Sequence, residues 1–194
     1  MPTYDALTAL IVVDVQNDFA SPDGSLYVGG AEEAVAVTVR EVDAARSAGA
    51  LVVCTQDWHP PVTPHFEKDG GIWPVHCVED TWGAALHPDL PADTEVLRKG
   101  VDGRDGYSGF SVRDPTTGET APTPLVDLLR SHGIERLVVC GLATDYCVVE
   151  TVVDARMLGY PVRVLGGAIR AVDLTEGDGE KALTRMRDAG ADLA

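Results

Sequence analysis

Between positions 57 and 77 the chain reads Asp-Trp-His-Pro, then an isolated His65, then Trp-Pro-Val-His-Cys. One carboxylate and three of the chain's five histidines therefore share a single segment. Asp57, His59, His65 and His76 make a candidate site for one hard-to-borderline divalent metal. Three nitrogens and one oxygen leave coordination positions for water or substrate, whereas a closed structural zinc site usually includes thiolates. The same residues also fit a proline- and aromatic-rich loop whose histidines cap backbone groups, and spacing alone does not choose between the two.

A second chemical group stands at Cys147, in Gly-Leu-Ala-Thr-Asp-Tyr-Cys. This reads as a strand-to-helix turn, which places the sulfur near the first turn of a helix, where the macrodipole and free N–H groups favour a thiolate. An unperturbed thiol with a pKa of about 8.5 is only a few per cent ionised at neutral pH, so a nucleophile needs a base or a cation beside it. Asp14 is placed to accept the proton and Lys99 to stabilise the anion. Against this stands the commoner fate of cysteine, a small apolar group packed in a helix. Asp14 has its own plain reading as a cap for the following loop, shared with Gln16, Asn17 and Asp18. Lys99 reads equally well as a surface lysine.

The elements that would position these groups alternate. The run 7–15 is nearly all apolar and β-branched, as expected of a strand buried on both faces of a parallel sheet. Apolar residues at helical spacing over 31–48 predict a helix that ends at Gly49. A second strand follows at 51–55, then a long loop from 58 to about 91, the length of a functional insertion. The second half predicts a short strand at 94–97, a helix at 122–131, a strand at 137–141, a helix at 144–158, a strand at 162–165 and a helix at 175–189. The sum is an α/β chain, one domain over 1–194, with a parallel sheet covered by helices on both faces. Ligands of open α/β sheets sit beyond the carboxyl ends of the strands. That rule brings Asp14, the Asp57–His59 pair, Lys99 and the Cys147 turn to one edge.

Bulk properties narrow the partners. A chain of 194 residues buries roughly 70% of its unfolded surface, enough for one core. The net charge of −16 argues against nucleic acid and against anionic membrane surfaces, and is neutral toward a small uncharged substrate. No run approaches the roughly 20 apolar residues of a membrane span, and the first residues lack a basic signal-peptide region. Cys54, Cys77, Cys140 and Cys147 form no dense framework, so reduced thiols and a cytoplasmic setting are expected. Neither Gly-x-Gly-x-x-Gly nor a P-loop is present, which removes a nucleotide-binding reading.

Six segments carry a resemblance. Asp-x-Gln-Asn-Asp-Phe at 14–19, Asp-Trp-His-Pro at 57–60, Trp-Pro-x-His-Cys at 73–77, Lys-Gly at 99–100, Tyr-Ser-Gly-Phe at 107–110 and Gly-x-Ala-Thr-Asp-Tyr-Cys-Val at 141–148 resemble the nicotinamidases. These belong to the isochorismatase-like hydrolase superfamily. The segments recur in family order along nearly the whole chain. The resemblance implies hydrolysis of nicotinamide to nicotinate and ammonia through a cysteine thioester, a place in NAD salvage, and pyrazinamide as a further substrate. It implies a triad of Asp14, Lys99 and Cys147, and one divalent metal, zinc before iron or manganese, on Asp57, His59, His65 and His76. It further implies a cis peptide between Leu142 and Ala143, an oxyanion hole from the N–H groups of Ala143 and Cys147, a ring sandwich of Phe19 and Trp73, and Tyr107 closing the pocket. Trp82 is expected to pack in the core or in its loop, His87 to lie on a loop surface and His132 at a helix C-terminus. The chain after the last helix is short for the family's final edge strand, so that strand and any homo-oligomer contact on it stay open. Two other functions compete: hydrolysis of a different small amide, and a non-catalytic metal or thiol sensor. A sensor has no use for Asp14 and Lys99 beside the thiol.

Overall fold

The apolar run at the start forms β1 (Thr8–Val13), with all six residues buried. Its neighbours explain why it is apolar on both faces. After the one-turn α1 (Asn17–Ala20) comes α2 (Ala31–Ser47), whose Val35, Val42 and Ala45 pack with Leu10 and Val12, while Ala9, Ile11 and Val13 join a second core on the opposite face. That second core is roofed by α3 (Leu125–Ser131), α4 (Val149–Met157) and α5 (Asp178–Asp188). Helices thus cover both faces of the sheet, as the alternation of elements requires. The computed structural model describes residues 4–194.

The sheet has six strands in the order β3 (Glu95–Lys99), β2 (Leu51–Asp57), β1, β6 (Arg136–Leu142), β7 (Val162–Arg170), β8 (Asp192–Leu193), and every pairing is parallel. The chain order reverses between β1 and β6, which makes the carboxyl ends of those two strands the topological switch point. Gly141 is required there. An added Cβ would lie 2.1 Å from the carbonyl oxygen of Val13, and its φ of 115° suits glycine alone.

Several boundaries move from their sequence-based positions. The expected 122–131 helix begins only at Leu125, because residues 120–122 are taken by β5 (Thr120–Pro122) in a hairpin with β4 (Ser111–Arg113). Strand periodicity over three-residue segments is too short to read. The 162–165 strand runs on to Arg170 through a register shift, past Gly166 and Gly167, which look like a stop signal in the sequence. The last helix starts at Asp178 instead of 175, after Gly177 in a left-handed conformation. The edge strand β8 is present and short, two residues paired with Arg163 and Val164. Trp82 does not pack in a core: it is 57% exposed, and its carbonyl is what the loop uses, accepting from the side-chain amide of Asn17.

Candidate active site and metal centre

Directly after β1 comes Asp14, whose backbone takes an unusual φ of 48° and whose side chain is completely buried. Thr55 on β2 anchors it: the hydroxyl donates to Oδ1 at 2.6 Å and accepts the Asp14 N–H at 3.2 Å. Lys99, at the end of β3, sits in register beside Asp57 at the end of β2. Its ammonium lies 2.9 Å from Asp14 Oδ2, 3.5 Å from Cys147 Sγ, and in direct contact with Asp57 Oδ1. Oxygens of Asp14 and Asp57 and the Cys147 sulfur fall within 4.8 Å of one another. The reading of Lys99 as a surface residue fails: it is 1% exposed.

The residues after Asp14 do more than cap a turn. Gln16 crosses to β2, accepting the Asp57 N–H at 2.7 Å and donating to the Asp57 and Ala84 carbonyls at 2.8 Å each. Asp18 accepts the Cys77 N–H at 2.7 Å, tying down the residue next to His76. The Asp-x-Gln-Asn-Asp segment therefore fixes the backbone of one expected metal ligand, Asp57, and of the residue that follows another, His76.

The thiol departs from expectation. Cys147 lies inside a single π-helical turn, Thr144–Val148, that runs straight into α4 at Val149, so the expected 144–158 helix is present but opens on a wider turn. The Leu142–Ala143 peptide that opens the turn is cis, and the Ala143 carbonyl accepts from the N–H groups of Tyr146 and Val148 at 3.1 Å each. Burial pushes the Cys147 thiol well above its usual range; Lys99 opposes that rise, and Asp14 and Asp57 add to it. A helix N-terminus does not hold a resting thiolate here. The resting pair is a neutral thiol beside Asp14, a carboxyl whose pKa complete burial raises and Lys99 only partly restores. Asp57 goes the other way: despite burial, Lys99 and His59 hold its carboxyl well below the usual carboxylate range. Lys99, which burial alone would neutralise, is kept charged by Asp14 and Asp57.

Beside this cluster stand the histidines. Ring nitrogens of His59, His65 and His76 lie within 4.8 Å of one another, all three residues buried. Both ring nitrogens of His59 lack a hydrogen-bond partner, a costly arrangement for buried polar atoms unless a ligand satisfies one of them. His76 donates from Nδ1 to the Pro74 carbonyl at 2.7 Å, and His65 Nδ1 lies 2.9 Å from Asp105 Oδ1, so each keeps Nε2 for another partner. Burial pushes the His76 pKa down to about 4, against the pull of Asp57, so the ring is neutral and able to ligate near pH 7. Asp57 Oδ2 is 3.8 Å from His59 Nε2, on the side of the carboxylate away from Lys99. Three imidazoles and one carboxylate fit a divalent cation, and the backbone-capping reading of these histidines fails for His59. Gly100 supports the site by having no side chain: a Cβ there would lie 2.7 Å from the His59 ring.

A mostly apolar cleft opens onto both clusters. Phe19, Trp73 and Tyr107 line it, as do Asp57, His65 and Cys147. The Trp73 indole N–H donates to the Tyr107 hydroxyl at 3.0 Å, fixing two walls against each other. The sequence reading missed Tyr146, whose ring meets that of Trp73 edge-on at 4.8 Å, and Leu26, Val28 and Val172. Tyr146 adjoins Cys147 and was within reach of the motif; the aliphatic residues carry no signal separable from core packing. Asp105 was missed because it lies in a loop outside every motif.

The chain matches the isochorismatase domain over residues 8–194. It belongs to the isochorismatase family. Within that family it is 39% identical over 203 aligned residues to the nicotinamidase of Escherichia coli, covering 95% of this chain and 93% of the relative. The fold is similar to that of the Pyrococcus horikoshii pyrazinamidase in complex with zinc, with a TM-score of 0.86, 36% identity and coverage of 97% and 98% of the two chains. It is equally similar to L. infantum PnC1 in complex with nicotinate, with a TM-score of 0.86, 37% identity and coverage of 100% and 95%.

Proposed function

We propose that this family member hydrolyses nicotinamide to nicotinate and ammonia, using Cys147 as nucleophile, and so serves NAD salvage. The observation that carries the reading is the Asp14–Lys99–Cys147 cluster set beside three buried imidazoles, two of whose nitrogens have no partner, in one apolar cleft. A sensor needs only the histidines or the thiol. The similarity to a nicotinamidase, and to structures holding zinc or nicotinate, supports the same reading.

The chemistry follows from where protons sit. Asp14 takes the thiol proton, and Lys99, in contact with both carboxylates, offsets the negative charge that the thiolate adds. The sulfur attacks the amide carbon, and the N–H groups of Ala143 and Cys147 hold the developing oxyanion; one such donor is worth about 10²–10³ in rate. Asp14 returns its proton to the leaving nitrogen, which departs as ammonia and leaves a thioester. Water, deprotonated by Asp14, cleaves the thioester, and the proton passes back to the thiol. Phe19 and Trp73 hold the pyridine ring between them, with Tyr107 closing the cleft. A divalent cation on Asp57, His59, His65 and His76 would supply Lewis-acid recognition of the ring nitrogen; zinc, the metal in the similar Pyrococcus horikoshii structure, is the first choice. Pyrazinamide shares the ring nitrogen and carboxamide and is a further substrate on this reading. Among the described residues no helix is long and apolar enough to cross a membrane, and all four cysteines are free, which suits a reducing cytoplasm.

Ammonia release from nicotinamide tests the proposal. Release is expected to fall on chelation and return with added zinc, and Cys147→Ala is expected to form no thioester by mass spectrometry. A folded, zinc-loaded protein that releases no ammonia from nicotinamide would discard the substrate, and turnover by Cys147→Ala would discard the covalent route.

A further inference from the structure

Asp105 takes no part in the chemistry proposed above, yet hydrogen bonds hold both its backbone and its side chain. Its backbone pairs with Arg113 of β4 in both directions, N–H to carbonyl at 2.7 Å and the reverse at 2.5 Å. Because β4 is held in turn by β5, the position of Asp105 is set by a hairpin and not by the loop. Its Oδ1 accepts the Gly106 N–H at 2.8 Å, which fixes the carboxylate as well. That same oxygen faces His65 Nδ1 at 2.9 Å. The next two residues also reach the site. The Gly106 carbonyl accepts from Lys99 Nζ at 3.3 Å, and the Tyr107 hydroxyl accepts from Trp73 at 3.0 Å. Three consecutive residues thus touch the imidazole cluster, the cluster around the thiol and the wall of the cleft.

We infer that Asp105 is the positioning residue of the metal centre: its carboxylate holds His65 as the Nδ1–H tautomer and thereby aims the Nε2 lone pair at the ion. The inference rests on the metal reading proposed above. An imidazole has one lone pair when neutral, and whichever nitrogen carries the proton cannot ligate. His76 has its tautomer set by a carbonyl of its own loop, Pro74, two residues away. His65 has no such local partner; it depends on a carboxylate 40 positions later in the sequence. A carboxylate also raises the basicity of the ring it accepts from, which strengthens the metal bond. Loss of such a partner typically weakens metal binding about 10–100-fold. The hairpin β4–β5 is thereby linked to the metal centre, and the loop from 100 to 106 is more than a connection.

Zinc affinity, measured by competition with a chromophoric chelator, tests this on the full chain as wild type, Asp105→Ala and Asp105→Asn. The amide oxygen of asparagine still accepts from Nδ1–H, so Asp105→Asn is expected to stay within a few-fold of wild type while Asp105→Ala binds zinc about 10–100-fold more weakly. Equal zinc affinity in wild type and Asp105→Ala overturns the inference and leaves the metal reading standing. A wild type that binds no zinc overturns both. A merely structural role would not change the tautomer, so nitrogen-15 NMR of His65 in chelated protein is the second measurement. Wild type is expected to show Nδ1–H, with the Nε2–H form rising in Asp105→Ala. Should Asp105→Ala fail to fold, the wild-type spectrum still decides: Nε2–H at His65 overturns the inference.

Discussion

Replacing Lys99 by methionine isolates the electrostatic heart of the site. The stem length is nearly kept, so packing changes little, but the ammonium between Asp14 and Asp57 is gone. Two carboxylates are then left buried with no counter-charge. Breaking a buried ion pair from one side costs about 3–5 kcal/mol. At about 2–4 °C per kcal/mol for a chain of this size, the melting temperature should fall by about 6–20 °C near neutral pH. The loss should depend on pH. In the variant, a buried carboxyl without its cation has its folded pKa raised above the unfolded value of about 3.9. Such a group contributes stability that is fully present below its unfolded pKa and lost as pH rises through its folded pKa. In the wild type the Lys99 pKa is itself raised, so its contribution is intact below about 10 and constant from pH 5 to 8. The deficit of the variant should therefore be larger at pH 8 than at pH 5. Thermal unfolding of chelated protein at both pH values reads this out, chelation ensuring that no bound cation shares the charge of Asp57. A deficit that is the same at pH 5 and pH 8, or absent at both, refutes the assignment of Lys99 as the counter-charge. Ammonia release should be lost in either case.

Gly100→Ala places a methyl 2.7 Å from the His59 ring at a φ of 78°, so zinc affinity should drop by about tenfold or more in a titration, with stability falling by about 1–3 kcal/mol. Gln16→Ala removes the hydrogen bonds that fix both the N–H and the carbonyl of Asp57, at about 1–3 kcal/mol for each group left unsatisfied; a denaturant midpoint equal to wild type would show that water replaces the amide. Because Asp14 must be ionised to accept the thiol proton and its pKa is raised by burial, kcat/KM for nicotinamide should decline on the acid side before ordinary carboxylates titrate. His76, pushed down to about 4, stays neutral through that range, and a rate undiminished down to pH 4 would remove Asp14 as the base. Chelation should lower the melting temperature as well as the rate, since a ligand at 100 times its Kd stabilises the folded state by about 2.7 kcal/mol.

The strand β1 and the residue that ends it were legible because burial on both faces of a parallel sheet demands an unbroken apolar run, and a carboxylate closing such a run stands out. The order of elements, the edge at which the site lies and the segments carrying Asp57, His59, His76 and Cys147 follow from the same local signals. Residue types also announced the candidate metal: imidazoles are scarce in this chain, and three of five share one loop. What the chain order cannot encode is which partner each group meets across the fold. Lys99 by itself reads equally well as a surface lysine, and only the parallel register of β2 with β3 sets it beside Asp57. The resting state of Cys147 runs against the local expectation: a helix start favours a thiolate, but complete burial, with Asp14 and Asp57 adding to it, pushes the thiol pKa up. Gln16, Thr55 and Asp105 acquire their roles only through contacts made 40 or more positions away. Propensity and periodicity act over a few residues, so they determine elements and candidate groups. Distances, charge balance and the tautomer of an imidazole depend on desolvation and on neighbours remote in sequence, and those the tertiary structure alone decided.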